Sequence, residues 1–221
     1  SGGARVRLST VPFAEERLLV QVNLRVRDTP TRIQAVTAGM DDLSSALMRL
    51  DRQIVRAWPA WRPRPWPDRS HGPLGAARAA AITRRKAVTP VRGTPLEAVA
   101  VMDAMDYDVH LFTDAESGED AVVYRAGPSG LRLERQRRMY PPGWSWSSPT
   151  VSSPPPALIV NSRPTPAFSE DVAVSRLCEQ ALRFLFFTDP ISGRGRLLYP
   201  RWDGNLALIT PTGAGDQCGE S

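Results

Sequence analysis

The octapeptide LFTDAESG at residues 111–118 has a diverged copy 75 residues later, FFTDPISG at residues 186–193. The similarity extends beyond this octapeptide, because residues 94–134 align without a gap to residues 169–209, with 10 identities in 41 positions. The identical residues, numbered in the first copy, are Ala98, Val99, Phe112, Thr113, Asp114, Ser117, Gly118, Tyr124, Leu131 and Leu133. An internal repeat at a fixed spacing predicts two copies of one small folding unit.

Each copy is predicted to form the same short α+β unit. Thr94 and Ser169 are N-cap candidates for a short helix. A strand ending in Phe-Thr-Asp follows, and the Gly of the Ser-Gly pair supplies the positive φ that a hairpin turn requires. Two further strands complete the unit, and segments 84–91 and 158–163 are predicted to add a leading strand to their own copies.

The N-terminal part of the chain predicts a sheet and one helix. The residues at 20, 22, 24 and 26 are apolar and alternate with polar or basic ones, which indicates a strand with one apolar face. A shorter strand shows the same pattern at 5–8, and a third is predicted over 31–37, after a turn at 28–30. Apolar residues spaced three or four apart from Leu43 to Trp58 indicate a helix, which Pro59 would end.

These patterns divide the chain into six parts. They are an N-terminal unit at 1–58, a Pro/Arg/Trp-rich linker at 59–83, a first repeat at 84–138, a connector at 139–157, a second repeat at 158–212 and a tail at 213–221. The predicted fold class is therefore α+β. Trp58, at the end of the N-terminal unit, and the linker residues Trp61 and Trp66 are predicted to cover core or protein surface rather than to stack on bases.

Positive charge is concentrated in the first part of the chain. Residues 1–93 hold 17 Arg or Lys and 7 Asp or Glu, a net of +10, whereas residues 94–221 hold 11 and 16, a net of −5. Such asymmetry predicts that the first part binds a polyanion such as RNA. The residues predicted to contact RNA are Arg5, Arg7, Arg25, Arg27, Arg32, Arg49, Arg52, Arg56, Arg62, Arg64, Arg84, Arg85 and Lys86.

The sequence offers little that favours catalysis, metal binding or membrane insertion. No apolar run approaches the length of a membrane span, and no Cys-x-x-Cys pair supports a zinc or disulfide site. Asp114 and Asp189 look like an acid pair, but each precedes a turn whose backbone an Asp side chain commonly caps. His71 and His110 are isolated. We expect a cytoplasmic protein without catalytic activity, metal, cofactor, small-molecule substrate or membrane partner.

The repeated segments also resemble a known family. Residues 106–118, DYDVHLFTDAESG, followed by VVYR at 122–125, resemble the C-terminal domain of long-form hibernation-promoting factors, in the ribosome-associated inhibitor family. The second copy resembles the same domain through residues 186–189, 192–193 and 197–199. Residues 4–58 are similar to the later strands and last helix of that family's N-terminal β-α-β-β-β-α domain, whose first strand and helix have no counterpart here.

This resemblance implies a function without chemistry. The N-terminal unit would be part of an RNA-binding domain that lodges in the mRNA and tRNA channel of the small ribosomal subunit, in contact with ribosomal RNA and proteins. The chain would then inhibit translation and stabilise idle ribosomes under stress, hypoxia or dormancy. The alternative is an oligomeric protein-interaction scaffold that binds RNA without specificity.

The duplication leads to one further expectation. In relatives with a single C-terminal domain, the resemblance implies that this domain pairs with its twin on a second ribosome. Here one chain holds both partners, so we expect them to pair within the chain and to hold single ribosomes idle. The residues predicted to form the inter-repeat interface are Leu111, Phe112, Val123, Tyr124, Phe186, Phe187, Leu198 and Tyr199.

Overall fold

The computed structural model describes residues 3–11, 16–57, 61, 64, 81–126, 130–141 and 158–213. Within these ranges the chain forms strands in three sheets together with three helices, which confirms the predicted α+β class. In chain order the elements are β1 Arg5–Thr10, β2 Leu18–Val26, β3 Thr29–Thr37, α1 Leu43–Ala57, β4 Ile82–Val88, β5 Arg92–Gly93, α2 Pro95–Ala104, β6 Val109–Asp114, β7 Asp120–Ala126, β8 Gly130–Arg135, β9 Leu158–Val160, α3 Glu170–Glu179, β10 Leu185–Thr188, β11 Gly195–Pro200 and β12 Leu206–Pro211.

The N-terminal unit is an antiparallel sheet, β1-β2-β3, with α1 packed on one face. Val20, Val22 and Ile33 form its core with α1, as the alternating pattern predicts. The turn between β2 and β3 is tighter than expected, because Arg27 and Asp28 both adopt positive φ. The third strand therefore begins at Thr29 rather than at residue 31.

Each repeat begins with a capped helix, as predicted. The Thr94 side chain accepts a hydrogen bond from the Glu97 backbone N–H, and the Glu97 carboxylate accepts one from the Thr94 backbone N–H. The bond from the Thr94 backbone N–H to the carboxylate, with a second from the Thr94 hydroxyl, lowers the pKa of Glu97. Ser169 caps α3 in the same way, by accepting a hydrogen bond from the Val172 N–H. α2 and α3 begin 75 residues apart, so the helices follow the register of the sequence repeat.

The aspartates before the two hairpin turns act as turn caps, which confirms the structural interpretation of this pair. Asp114 accepts hydrogen bonds from the backbone N–H and hydroxyl of Ser117. Asp189 accepts the equivalent two from Ser192, and the hydroxyl bond lowers the pKa of Asp189. Each turn closes on a glycine at positive φ, at residues 118 and 193.

The leading strands of the two repeats are exchanged, which corrects the sequence prediction. β4 does not join the sheet of the first repeat but runs parallel to β12 at the edge of the second sheet, in the order β10-β11-β12-β4. β9 in turn runs parallel to β8 in the order β5-β6-β7-β8-β9. Leu158 and Val160 pack on the first repeat's core, while Ile82 packs on the second repeat's core. Each repeat thus completes the sheet of the other.

Candidate RNA-binding surface and repeat interface

Four of the predicted RNA contacts share one face of the N-terminal sheet. Arg5 pairs with Asn23 and Asn23 with Arg32, so these three side chains point to the same side. Arg7 and Arg25 follow at alternate positions on the same side, opposite α1. Arg5, Arg7 and Arg25 are exposed, and Arg32 is half-buried. We call the surface of Arg5, Arg7, Arg25 and Arg32 the basic sheet face.

Two of these arginines are oriented by neighbours. The Arg25 guanidinium donates a hydrogen bond to the Asp28 carbonyl oxygen at 2.6 Å. Arg32 donates one to Gln34 Oε1 at 2.6 Å, and its guanidinium lies 5.9 Å from the centre of the Tyr107 ring. Arg27 is also exposed, in the turn at the end of β2. Guanidinium groups on a rigid sheet suit phosphate contacts, because Arg is always charged and its planar fork matches phosphate oxygens.

The remaining predicted RNA contacts of the N-terminal unit lie on α1, where two are exposed and one contacts the first repeat. Arg52 and Arg56 are exposed on the outer surface of the helix. Arg49 instead reaches the first repeat, where its Nη2 lies 2.8 Å from Asp106 Oδ1. The exposed arginines remain candidate RNA contacts, whereas Arg49 is engaged between two parts of the protein.

Arg64 is likewise not an exposed linker contact, contrary to expectation. It is 8% exposed, and its Nη1 donates a hydrogen bond to Asp106 Oδ1 at 2.9 Å. Its backbone N–H also donates to Asp103 Oδ2 at 3.1 Å. A guanidinium that already binds a buried carboxylate is not available to a phosphate, so we assign a structural role to Arg64, which is buried, and to Arg49, which is partly exposed. Arg62 lies outside the described residues, and Trp61 packs on the core of the first repeat, as predicted for it.

Asp103 and Asp106 therefore form a docking site for the N-terminal unit, which the sequence did not reveal. Asp106 is 2% exposed, adopts a φ of 52° and also accepts a hydrogen bond from the Gln34 backbone N–H. Asp103 pairs with Arg125 at 2.8 Å, and the backbone oxygen of Asp103 accepts a hydrogen bond from Gln53. The sequence did contain a usable signal for this docking site. The second repeat has Cys178 and Ala181 at the equivalent positions, so the two aspartates occur in the first repeat alone.

The three basic residues of β4 lie on the sheet of the second repeat. Arg84 is exposed. Arg85 forms an exposed ion pair with Glu170 at 2.7 Å. The Lys86 ammonium donates a hydrogen bond to the Tyr199 hydroxyl at 3.0 Å, so it holds the exchanged strand in place. Of these three, Arg84 is the best placed for an external contact.

The two sheets pack face to face through equivalent residues of the two repeats. Leu111, Val122, Phe186 and Leu197 form one buried cluster, and Phe186 and Leu197 stand 75 residues after Leu111 and Val122. Val109, Tyr124, Phe184, Tyr199 and Ile209 surround it. The Tyr124 and Phe184 rings meet edge to face, with their centres 4.8 Å apart. Contacts between equivalent residues are what a local two-fold axis produces.

The structure divides the predicted interface residues into two sets. Leu111, Tyr124, Phe186 and Tyr199 belong to the cluster between the repeats. The other four pack against the helix of their own repeat, and they are Phe112, Val123, Phe187 and Leu198. Successive side chains of a strand point to opposite faces, so adjacent residues such as Leu111 and Phe112 cannot both reach the partner repeat. Val122 and Leu197 complete the interface and were not predicted.

Polar contacts link the repeats beside the apolar cluster. Asp120, 3% exposed, lies 2.8 Å from Arg194 Nε and accepts a hydrogen bond from the Gly195 backbone N–H at 2.9 Å. The Gln136 side chain donates hydrogen bonds to the Thr188 hydroxyl and the Gly193 carbonyl oxygen. Arg183 and Asp108 form an ion pair at 3.1 Å. The interface therefore has a buried apolar centre and charge-complementary edges.

Comparisons with known proteins match one family model to the region of the first repeat and two relatives to most of the chain. The model described as the Sigma 54 modulation/S30EA ribosomal protein C terminus matches residues 77–133. Over 215 residues the chain is 64% identical to the dormancy associated translation inhibitor of Mycobacterium tuberculosis strain CDC 1551 / Oshkosh, and equally to that of strain ATCC 25618 / H37Rv. The alignments cover 97% of this chain and 78% of each relative. The chain belongs to the dormancy-associated translation inhibitor family.

This relationship confirms the resemblance predicted from the repeated segments. The S30EA-type C-terminal domain is the domain of the hibernation-promoting factors, and its match contains α2, β6 and β7 of the first repeat. The match also contains β4, the strand that this member of the dormancy-associated translation inhibitor family exchanges between repeats. In the part of the chain that the structure describes, no helix is long and apolar enough to span a bilayer.

Proposed function

We propose that this chain is a ribosome hibernation factor that binds the small ribosomal subunit, blocks the mRNA and tRNA channel, and keeps single ribosomes idle. The relatives are named dormancy associated translation inhibitors, and the first repeat matches the family model of the S30EA ribosomal protein C terminus. The observation that carries the proposal is the closed pair of repeats, because a pairing surface satisfied within one chain is not available to a second ribosome.

The basic sheet face is the proposed contact with ribosomal RNA. Its arginines lie on a rigid sheet that is anchored from the other side by α1 and from its edge by Asp106. Contacts of this kind recognise the shape and charge of folded RNA, and each neutralised phosphate releases counterions. Inhibition of this kind requires that the protein occupies the mRNA and tRNA channel, and it requires no chemical reaction. We therefore infer a cytoplasmic, non-enzymatic protein.

The closed pair explains why we propose single rather than joined ribosomes. The cluster around Phe186 is buried within one chain, and each sheet contains a strand from the other half. Tethered partners meet at an effective concentration of about millimolar, which exceeds the concentration of free chains in most cells. A second chain would have to displace both the tethered partner and an exchanged strand.

Sedimentation of the full chain with purified ribosomes through a sucrose gradient, together with a translation assay, tests the proposal. We expect the protein to travel with small subunits and single ribosomes and to inhibit initiation. A translationally inert protein that sediments with no ribosomal peak would instead favour the loose scaffold. Abundant paired ribosomes bridged by repeats of two chains would contradict the part of the proposal that concerns single ribosomes.

The basic sheet face is tested by replacing Arg5, Arg7, Arg25 and Arg32 with Ala. The logarithm of the binding constant should depend less steeply on the logarithm of salt concentration, by about 0.7–0.9 for each phosphate that the variant no longer neutralises. A control that removes the same charge from the exposed surface of the repeats should keep the original slope. The control residues are Arg137, Arg138, Arg163 and Arg176.

A further inference from the structure

Two pairs of equivalent residues touch each other across the repeat interface. Asp108 pairs with Arg183, and Asp120 accepts a hydrogen bond from the Gly195 backbone N–H. Each pair is separated by 75 residues, the spacing of the sequence repeat. A residue that contacts its own equivalent lies close to the local two-fold axis. We call these two pairs the axis positions.

The first axis position is complementary in size. A Cβ atom on Gly195 would lie 2.7 Å from two ring carbons of Phe186 and 2.8 Å from the Asp120 Cβ. The second repeat therefore has no room for a side chain where the first repeat carries Asp120. The strand neighbours compensate, since the first repeat has the smaller Leu111 where the second has Phe186.

The same position is complementary in charge. Asp120 is bound by Arg194 through Nε at 2.8 Å and Nη2 at 3.1 Å. The residue equivalent to Arg194 in the first repeat is Glu119. Two first repeats would therefore bring Asp120 and Glu119 of both partners together without an arginine. Two second repeats would bring Arg194 of both partners together without a carboxylate.

The second axis position follows the same rule at the surface. Asp108 and Arg183 attract each other at 3.1 Å across the axis. A pair of first repeats would place Asp108 against a second Asp108, and a pair of second repeats would place Arg183 against a second Arg183. Like charges in contact disfavour both of these pairings.

We propose that the axis positions make the repeats selective for one another, so that each repeat binds the other type and rejects a copy of itself. This deepens the proposed function and rests on its closed repeat pair. The partner that the surface fits is a repeat of the opposite type, normally from the same chain. Two chains can then associate only by exchanging opposite repeats, never through two first or two second repeats.

Two variants of the full chain test this rule in free solution. In each variant the pairing surface of one repeat is disabled. Gly195→Asp disables the second repeat and leaves the first intact, whereas Asp120→Arg disables the first and leaves the second intact. We expect each variant alone to be an opened monomer by sedimentation velocity. An equimolar mixture should double in mass, because the intact first repeat of one chain binds the intact second repeat of the other. Ser175→Asp, on the exposed surface of α3, is the matched control and should stay closed.

Several results would overturn the rule. Self-association of Gly195→Asp through its first repeats would do so, as would a closed Gly195→Asp monomer or a mixture that does not associate. If circular dichroism shows that Gly195→Asp is unfolded, the charge pair decides instead. Asp108→Arg and Arg183→Asp should each lower the melting temperature, and the double variant should restore it; a double variant no better than the single variants contradicts selectivity. Because no ribosome is present, failure here is distinguishable from failure to bind ribosomes.

Discussion

The two repeats share a fold and its turn residues, yet they differ at several positions that face another part of the protein. The first repeat binds the N-terminal unit through Asp103 and Asp106, while the second has Cys178 and Ala181 there. Asp114 and Asp189 cap the same turn in both. The unchanged aspartates thus specify the turn of each repeat, whereas the changed residues specify its neighbour. Comparing the two copies therefore assigns roles to individual residues without reference to a catalytic group.

The largest expected difference concerns the arginine that pairs with each turn aspartate. Arg135 and Asp114 are both fully buried and 2.7 Å apart, whereas the equivalent role in the second repeat falls to Arg196, which is 17% exposed. Arg135→Ala should lower the free energy of unfolding by about 3–5 kcal/mol, because it leaves a buried carboxylate unpaired. Arg196→Ala should cost clearly less in the same urea titration. Equal losses would contradict the ranking by burial.

The docking site should give the next largest effect. Asp106→Ala leaves Arg49 and Arg64 without their shared carboxylate and should cost about 2–4 kcal/mol, less than a fully buried pair because Arg49 is 17% exposed. Hydrogen exchange should accelerate in β3 and α1. Ala181→Asp introduces the same residue at the equivalent, exposed site of the second repeat and should leave exchange unchanged. Unaltered protection of β3 in Asp106→Ala would refute the docking role.

The repeats should also differ in their response to acid. Burial lowers the pKa of His110 from 6.5 to about 4, and the second repeat has Leu185 at this position. Between these pH values the unfolded chain binds more protons than the folded one, so the free energy of unfolding falls as the pH falls. The loss is at most about 1.4 kcal/mol for each pH unit.

His110→Leu should therefore make the free energy of unfolding less dependent on pH between 7 and 5. Burial raises the pKa of Glu134, which acts in the opposite direction, but this contribution is present in both proteins and cancels in the comparison. Urea titrations at the two pH values measure the difference. The same pH dependence in both proteins would show that His110 is not the responsible group.

The smallest effect is expected at the backbone of the second repeat. Ala181 adopts a φ of 48°, which is unfavourable for a residue with a Cβ, whereas Asp106 is held at 52° by its ion pairs. Ala181→Gly should raise the melting temperature by the equivalent of roughly 0.5–1 kcal/mol. Ala115→Gly, in the exposed hairpin turn of the first repeat, is the control and should not stabilise.

Much of the fold follows from the sequence because its signals are local. Helix caps, turn aspartates and the alternation of β2 depend on neighbouring residues, and these predictions agree with the structure. The interface was predicted only in half, because adjacent apolar residues such as Leu111 and Phe112 look equally suited to it until their facing directions are known.

The remaining errors come from contacts between distant segments. β4 and β9 lie at equivalent places in the repeat, so the sequence fits either sheet equally well, and only the assembled pair decides the exchange. Arg49 and Arg64 have the charge of an RNA contact, and their partner Asp106 lies 57 and 42 residues away. Comparison of Asp106 with Ala181 was the available signal, since a charged residue in one copy alone indicates a local partner.

The pairing of β4 with β12 also fixes when the repeat pair can first form during synthesis. Ile82 leaves the ribosome early, but its partner Leu206 is made 124 residues later. At about 5–20 residues per second, β4 waits roughly 6–25 s for the strand that completes its sheet. The first repeat also waits for β9, which follows the connector. A nascent chain therefore carries no finished repeat pair until β12 has been made and has left the ribosome.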